Sequence, residues 1–194
     1  MQDLADQLGR SGLEAIFAAF ELDRDPGLEI DTTTTADDPL LDPLMAGMGQ
    51  DNLSVTPLNI GLAAAALANN GSVPQPQLAL ASTDLEGNWQ EQQIEKEPAQ
   101  VVSADVAGEI LRVLGPQDGL SELSTLAISG PEDSANAWYV GISTSEAAAY
   151  VVVVVLEGTD QPSHAQRVGR GMISAVKQLQ SDSASKMPSP TMLK

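Results

Sequence analysis

Cysteine is absent from the 194 residues, and histidine occurs once, at His164. The first absence excludes disulfide scaffolding and thiol catalysis, and together the two remove the usual ligand sets for zinc. They also weaken any Ser-His-Asp reading, because the sole imidazole sits far from a nucleophile-like motif. Aromatics are scarce at 3%, so a core must be built from Ala, Val and Leu, which a hydrophobic content of 42% can supply. Positive charge is scarce too: 9 Lys and Arg stand against 27 Asp and Glu, for a formal net charge of -18. A surface this acidic repels phosphate backbones and anionic headgroups, which argues against nucleic-acid binding. The longest apolar runs, 62–68 and 150–156, are too short to cross a bilayer. Residues 1–10 have neither the basic start nor the apolar stretch of a secretion signal. The acid pairs Asp37-Asp38 and Glu132-Asp133 lack the ordered spacing of a calcium loop, so neither a metal nor a cofactor is expected.

What is present reads as alternating helices and strands. Ser11-Gly12-Leu13-Glu14 has the form of a capping box and opens an expected helix over 12–22, with Leu13, Ile16, Phe17 and Phe20 on its buried face. Residues 23–49, rich in Asp, Thr, Pro and Gly, read as an irregular crossing with one short helical turn near 40–45. Thr56-Pro57 starts the clearest helix, over 57–68, which stops at Asn69-Asn70-Gly71. A hairpin is expected from 77–82 and 88–93 around Asp84-Leu85-Glu86-Gly87. A helix capped by Ser103 follows over 104–114, then strands over 124–129, 137–143 and 148–156, and a last helix over 163–180. Val151 to Val155 are five consecutive β-branched residues, the pattern of a strand buried on both faces, so helices are expected on both sides of the sheet.

Several segments together carry a family resemblance. Gly47-Met48-Gly49-Gln50, then Leu53-Ser54-Val55-Thr56-Pro57-Leu58, then Ala65-Ala66-Leu67-Ala68-Asn69-Asn70-Gly71 resemble the central segment of penicillin-binding protein transpeptidase domains. Val101-Val102-Ser103 resembles the start of that family's next helix, Asn136-Ala137-Trp138-Tyr139-Val140-Gly141 its Ala-Trp-Phe-Val-Gly strand, and residues 150–157 its last strand. The likeness covers about residues 4–179.

The family's chemistry needs a Ser-x-x-Lys nucleophile, a Ser-x-Asn loop and a Lys-Thr-Gly strand around one cleft. The resemblance places the first two ahead of Gly47, where no counterpart is found in this sequence. Leu126-Ala127-Ile128-Ser129-Gly130-Pro131 occupies the place of the third. There Ile128 replaces the carboxylate-binding lysine, Ser129 keeps a hydroxyl, Gly130 keeps the close backbone approach, and Pro131 lacks the N–H of the second oxyanion donor. Losing one such donor costs on the order of a hundredfold to a thousandfold in rate. Ser174–Lys177 and Ser183–Lys186 match Ser-x-x-Lys by coincidence in a Ser-rich region. His164 reads as a solvated residue of the last helix rather than a general base, and Trp138 and Tyr139 as core packing rather than a ligand groove.

The resemblance implies an α+β fold, a β-lactamase/transpeptidase-like antiparallel sheet flanked by helices and lacking the family's N-terminal strands. Residues 1–180 are expected to form this partial domain and 181–194 a disordered tail. The last strand would then be an open edge, and a protein partner or a second copy is expected to associate along Tyr150–Leu156. The function so implied is a domain without catalytic residues, a binding or assembly module linked to cell-wall peptidoglycan synthesis in the cell envelope, with a peptidoglycan peptide as a further candidate ligand. The alternative is the C-terminal part of an active D,D-transpeptidase acting on peptidoglycan stem peptides.

Overall fold

The computed structural model describes residues 2–28, 42–47, 54–91, 98–128, 134–145 and 148–186. The chain divides into two compact units, Met1–Pro116 and Gln117–Lys194. In both, the architecture is α+β with antiparallel pairing throughout.

The first unit opens with α1 (Gln2–Ala19), two helical pieces joined at Gly9, whose φ of 62° and ψ of 177° are not helical. The helix therefore begins ahead of Ser11, and the expected capping box falls just inside the second piece; glycine makes the break instead. Past Ala19 the chain turns at Glu21 (φ 56°), with Leu22 N–H donating to Phe17 O at 2.9 Å. The short turn expected near 40–45 is α2 (Pro43–Gly47), and Ala46 from it is buried with Leu13 of α1 against Phe17. The rest of the expected crossing, 29–41, lies outside the described residues.

α3 (Pro57–Ala68) has the expected bounds, because its start is written in local chemistry. Thr56 Oγ1 accepts from Asn59 N–H at 3.1 Å, while Asn59 Oδ1 accepts from Thr56 N–H at 3.1 Å, a reciprocal capping box. Asn70 (φ 54°) and Gly71 (φ 86°) supply the left-handed turn after it. At Gly71 only glycine fits, since a Cβ there would stand 2.8 Å from the Val102 carbonyl carbon. β1 (Ser72–Val73), β2 (Ala81–Thr83), β3 (Trp89–Glu91) and β4 (Ala99–Gln100) follow; β1 pairs with β4 and β2 with β3. The hairpin is shorter than expected, and residues 92–97 lie outside the described ones. Its turn is organised by Asp84, whose Oδ1 accepts from Glu86 N–H at 3.0 Å and Asn88 N–H at 2.8 Å. α4 (Ala104–Val113) is capped by Ser103 as expected. Leu62, Ala66 and Val73 form this unit's second cluster, with Phe20, Leu58 and Val101 packed on it.

The second unit is a meander, β5 (Leu120–Ile128), β6 (Ala135–Ser145) and β7 (Ala148–Leu156), in the spatial order β5-β6-β7. The register runs from Leu120↔Ser143 to Ile128↔Ala135, and from Ala137↔Leu156 to Ser145↔Ala148. β5 starts four residues earlier than expected, because its polar first half is held by the long ladder to β6. α5 (Pro162–Lys186) covers one face, burying Ala165 and Ile173 against Ala137, Tyr139, Val152 and Val154. The five valines do alternate in burial: Val152 and Val154 are 8% and 7% exposed, while Val151, Val153 and Val155 are half-buried. Uniform residue type had hidden that period of two. α5 continues beyond the expected end at residue 180, so 181–186 are helical where an irregular tail was expected. No Gly or Pro interrupts the chain from 172 to 187, and Pro188 is the first residue that disfavours helix. Residues 187–194 lie outside the described ones.

Candidate functional site

Of Ile128, Ser129, Gly130 and Pro131, the four site residues singled out from the sequence, Ile128 is the one among the described residues, at the end of β5. Ile128 is its last residue, paired in register with Ala135 of β6, so it sits at a strand terminus beside a second strand. Ser129, Gly130 and Pro131 lie outside the described residues, as do 48–53, which hold most of the Gly-x-Gly-Gln turn. Gly47 ends α2, Thr56-Pro57 open α3, and Ala137 to Gly141 form the middle of β6. Ser174 and Lys177 are exposed on α5, and His164 lies in its first turn. Among the described residues no group of three or more His, Asp or Glu side chains is placed to hold a metal ion, and no helix is long and apolar enough to cross a membrane.

Two polar arrangements were not anticipated. The first is centred on Glu122 of β5. Its carboxylate accepts from Tyr139 Oη at 3.0 Å, from Arg170 Nε at 3.1 Å and a second Arg170 nitrogen, and from Gln166 Nε2 at 3.3 Å. The Arg170 guanidinium is the main reason that this carboxyl is held below the usual carboxylate range, with the Tyr139 hydroxyl adding to it against the opposing effect of burial. Burial, then the bond to Glu122, pushes the Tyr139 phenol well above its ordinary value, so it stays protonated and donates. The Tyr139 ring is fully buried and passes between Gly141 of β6 and Gly169 of α5. A Cβ at Gly141 would stand 2.6 Å from Tyr139 Oη, and one at Gly169 would overlap the ring itself. Together these residues bind α5 to β5 and β6. This is chemistry of cohesion, since every acceptor position of the carboxylate is taken by the protein's own donors.

The second is Asn59, 1% exposed at the start of α3. Beyond its part in the capping box, its Nδ2 donates to Glu21 O at 3.0 Å and Arg24 O at 2.9 Å. It fastens the segment leaving α1 to the helix that follows the Gly-x-Gly-Gln region. A sequence signal existed for Asn59, at the third position after a Thr cap, but its long-range bonds could not be read from spacing. Glu122 gave no signal, because one acid in a short polar run looks like solvated surface.

Comparison with known proteins agrees with this geometry. A family model described as the penicillin binding protein transpeptidase domain matches residues 1–118. Among solved structures, penicillin-binding protein A of Mycobacterium tuberculosis is similar, with a TM-score of 0.72 at 22% identity over 89% of this chain and 47% of that one. The D,D-transpeptidase domain of a peptidoglycan glycosyltransferase from Eggerthella lenta gives a TM-score of 0.71 at 18% identity, over 91% of this chain and 50% of its own. A peptidoglycan synthetase from Bifidobacterium adolescentis gives 0.67 at 18% identity, over 97% of this chain and 38% of its own. At such identities these likenesses establish the fold, and this chain spans about half the length of the solved relatives or less. No curated protein sequence matches it. That family match, over more than half of the chain, shows that the chain belongs to the penicillin-binding protein transpeptidase domain family.

Proposed function

We propose that this is a non-catalytic member of the family, a binding or assembly module in peptidoglycan synthesis in the cell envelope. The observation that carries the reading is Ile128 at the end of β5. The family's strand uses a lysine there to bind the substrate carboxylate, and isoleucine offers neither charge nor hydrogen bond. Pro131, three residues on, has no N–H to give an oxyanion. The binding surface in this reading is the outer edge of β7. Among the described residues β7 pairs with β6 alone, and Ala148–Leu156 contains no charge or proline to discourage a further strand. A strand from a protein partner or a second copy is the ligand that this edge favours, through main-chain hydrogen bonds.

The test is covalent labelling. The 194-residue chain, and the product of the whole reading frame that contains it, are incubated with a fluorescent penicillin and weighed intact. No adduct is expected on either. A stoichiometric mass increase matching the opened lactam on the longer product would instead mark the chain as part of an active D,D-transpeptidase.

A further inference from the structure

Trp89 stands apart from the other aromatic residues. The sequence holds only two each of Trp, Tyr and Phe. Phe17, Phe20, Trp138, Tyr139 and Tyr150 are buried or half-buried, whereas Trp89, on β3 of the hairpin, is 74% exposed. A large apolar ring left in water gains from any contact that covers it, and tryptophan is for that reason concentrated at the centres of interfaces.

The register of the hairpin fixes what stands beside the ring. Thr83 pairs with Trp89 and Ala81 with Glu91, so these four side chains share one face of the two strands. Ser82 and Gln90 lie on the other face, where Gln90 Nε2 donates to Asp84 Oδ2 at 3.3 Å. The Asp84 carboxylate is thereby used up within the turn, with Asn88 and Glu86 N–H also donating to it. Glu91 is different: it is exposed and pairs with no cation among the described residues. It follows Trp89 by two positions on the same side of β3, about 7 Å along the strand. The neighbouring sequence supplies no cation either, since residues 25–95 contain no Lys, Arg or His.

We infer that this face of the hairpin is a docking site for an extended, arginine-bearing segment of a partner protein. An indole and a carboxylate side by side are complementary to one cation of a particular shape. A planar guanidinium stacks on the ring while its edge N–H groups donate to Glu91, which a compact ammonium does less well. An extended segment fits because its side chains recur on one side about every 7 Å, the spacing of Trp89 and Glu91. Leu85 in the turn and Leu78 and Leu80 ahead of β2 are exposed as well, so apolar neighbours of the arginine find cover at either end of the hairpin. An anionic membrane is the poorer fit, because Glu91 would enter it with the ring and the net charge of -18 opposes the approach. The site lies in the first unit, apart from Ile128 in the second, and does not depend on whether the domain is catalytic.

The experiment titrates the full chain into a fluorescein-labelled peptide of about eight residues, with Arg at alternate positions and Thr between them, so that the arginines share one side. Anisotropy reads binding, and circular dichroism checks that each variant is folded. Trp89→Ala, which leaves the net charge unchanged, should weaken binding by about fivefold, and the loss should persist at high salt. Glu91→Gln should weaken it by about threefold at low salt, with the difference shrinking as salt rises. Asp105→Asn removes the same charge from an exposed position of α4 and should leave binding unchanged. Replacing arginine in the peptide by citrulline, its neutral isostere, should abolish the dependence on Trp89. Undiminished affinity of Trp89→Ala, an equal loss in Asp105→Asn, or a citrulline peptide that binds as tightly overturns the proposal. Phosphatidylcholine vesicles that bind through Trp89, with no binding of the arginine peptide, would replace the partner segment by a lipid surface and equally overturn it.

Discussion

Gly169 and Gly171 lie two residues apart on α5, and alanine should act on them with opposite sign. At Gly171 a Cβ meets nothing within 4 Å. Alanine there gains helix propensity and restricts the unfolded chain, which is worth roughly 0.5–1 kcal/mol. At Gly169 the same methyl overlaps the Tyr139 ring. The ring has no room to retreat, because it is fully buried, lies over Gly141 and is tethered through its hydroxyl to Glu122 at 3.0 Å. α5 must then lift from the sheet and loosen Ala165, Ile173, Val152 and Val154. Overpacking of this kind costs about 3 kcal/mol at the upper end of its range, and the propensity gain offsets about 1 kcal/mol of that. Gly169→Ala should thus lose about 2 kcal/mol and Gly171→Ala should gain up to about 1 kcal/mol. Urea denaturation followed by far-ultraviolet circular dichroism resolves the difference of about 3 kcal/mol. Adding Tyr139→Leu should relieve the clash, so that Gly169→Ala costs less in that background, a coupling that a double-mutant cycle measures. If Gly169→Ala stabilises as Gly171→Ala does, the packing described around Tyr139 is wrong.

The Glu122 carboxyl is held below its ordinary value of 4.5, so its ion pair with Arg170 stabilises the fold above that pH and is lost as pH falls through the lowered value. Glu122→Gln should therefore destabilise the fold at neutral pH, with the gap to wild type closing as pH falls through that lowered value; a gap independent of pH would refute the ionised reading. Asn59→Ala removes the donor to Glu21 O and Arg24 O and half of the capping box, and should cost about 2–4 kcal/mol in chemical denaturation. Asn59→Asp should be at least as damaging, since a carboxylate cannot donate to either carbonyl. Val153→Lys should raise solubility and abolish association along β7 in light scattering, whereas a loss of stability with unchanged association would mean that the edge is already covered.

Where local chemistry decides, the sequence was enough. Thr56-Pro57 and Asn69-Asn70-Gly71 bound α3, Ser103 starts α4, and the apolar run of Ala148–Leu156 is a strand, each because its signals lie within a few residues of the element they define. The order of short motifs was also legible and pointed to the family. Tertiary structure decided what depends on partners far along the chain. β5 extends back to Leu120 because β6 is there to pair with it, and Glu122 ties strand to helix because Arg170 and Gln166 arrive 48 and 44 residues later. Asn59 looked like a cap residue and proved to clasp carbonyls 38 and 35 residues away. Five identical valines carry no period of their own, so only the helix laid across one face could make Val152 and Val154 the buried ones. Pattern reports what a residue does to its neighbours in sequence; hydrogen bonds and packing between distant segments are set only when the chain has folded.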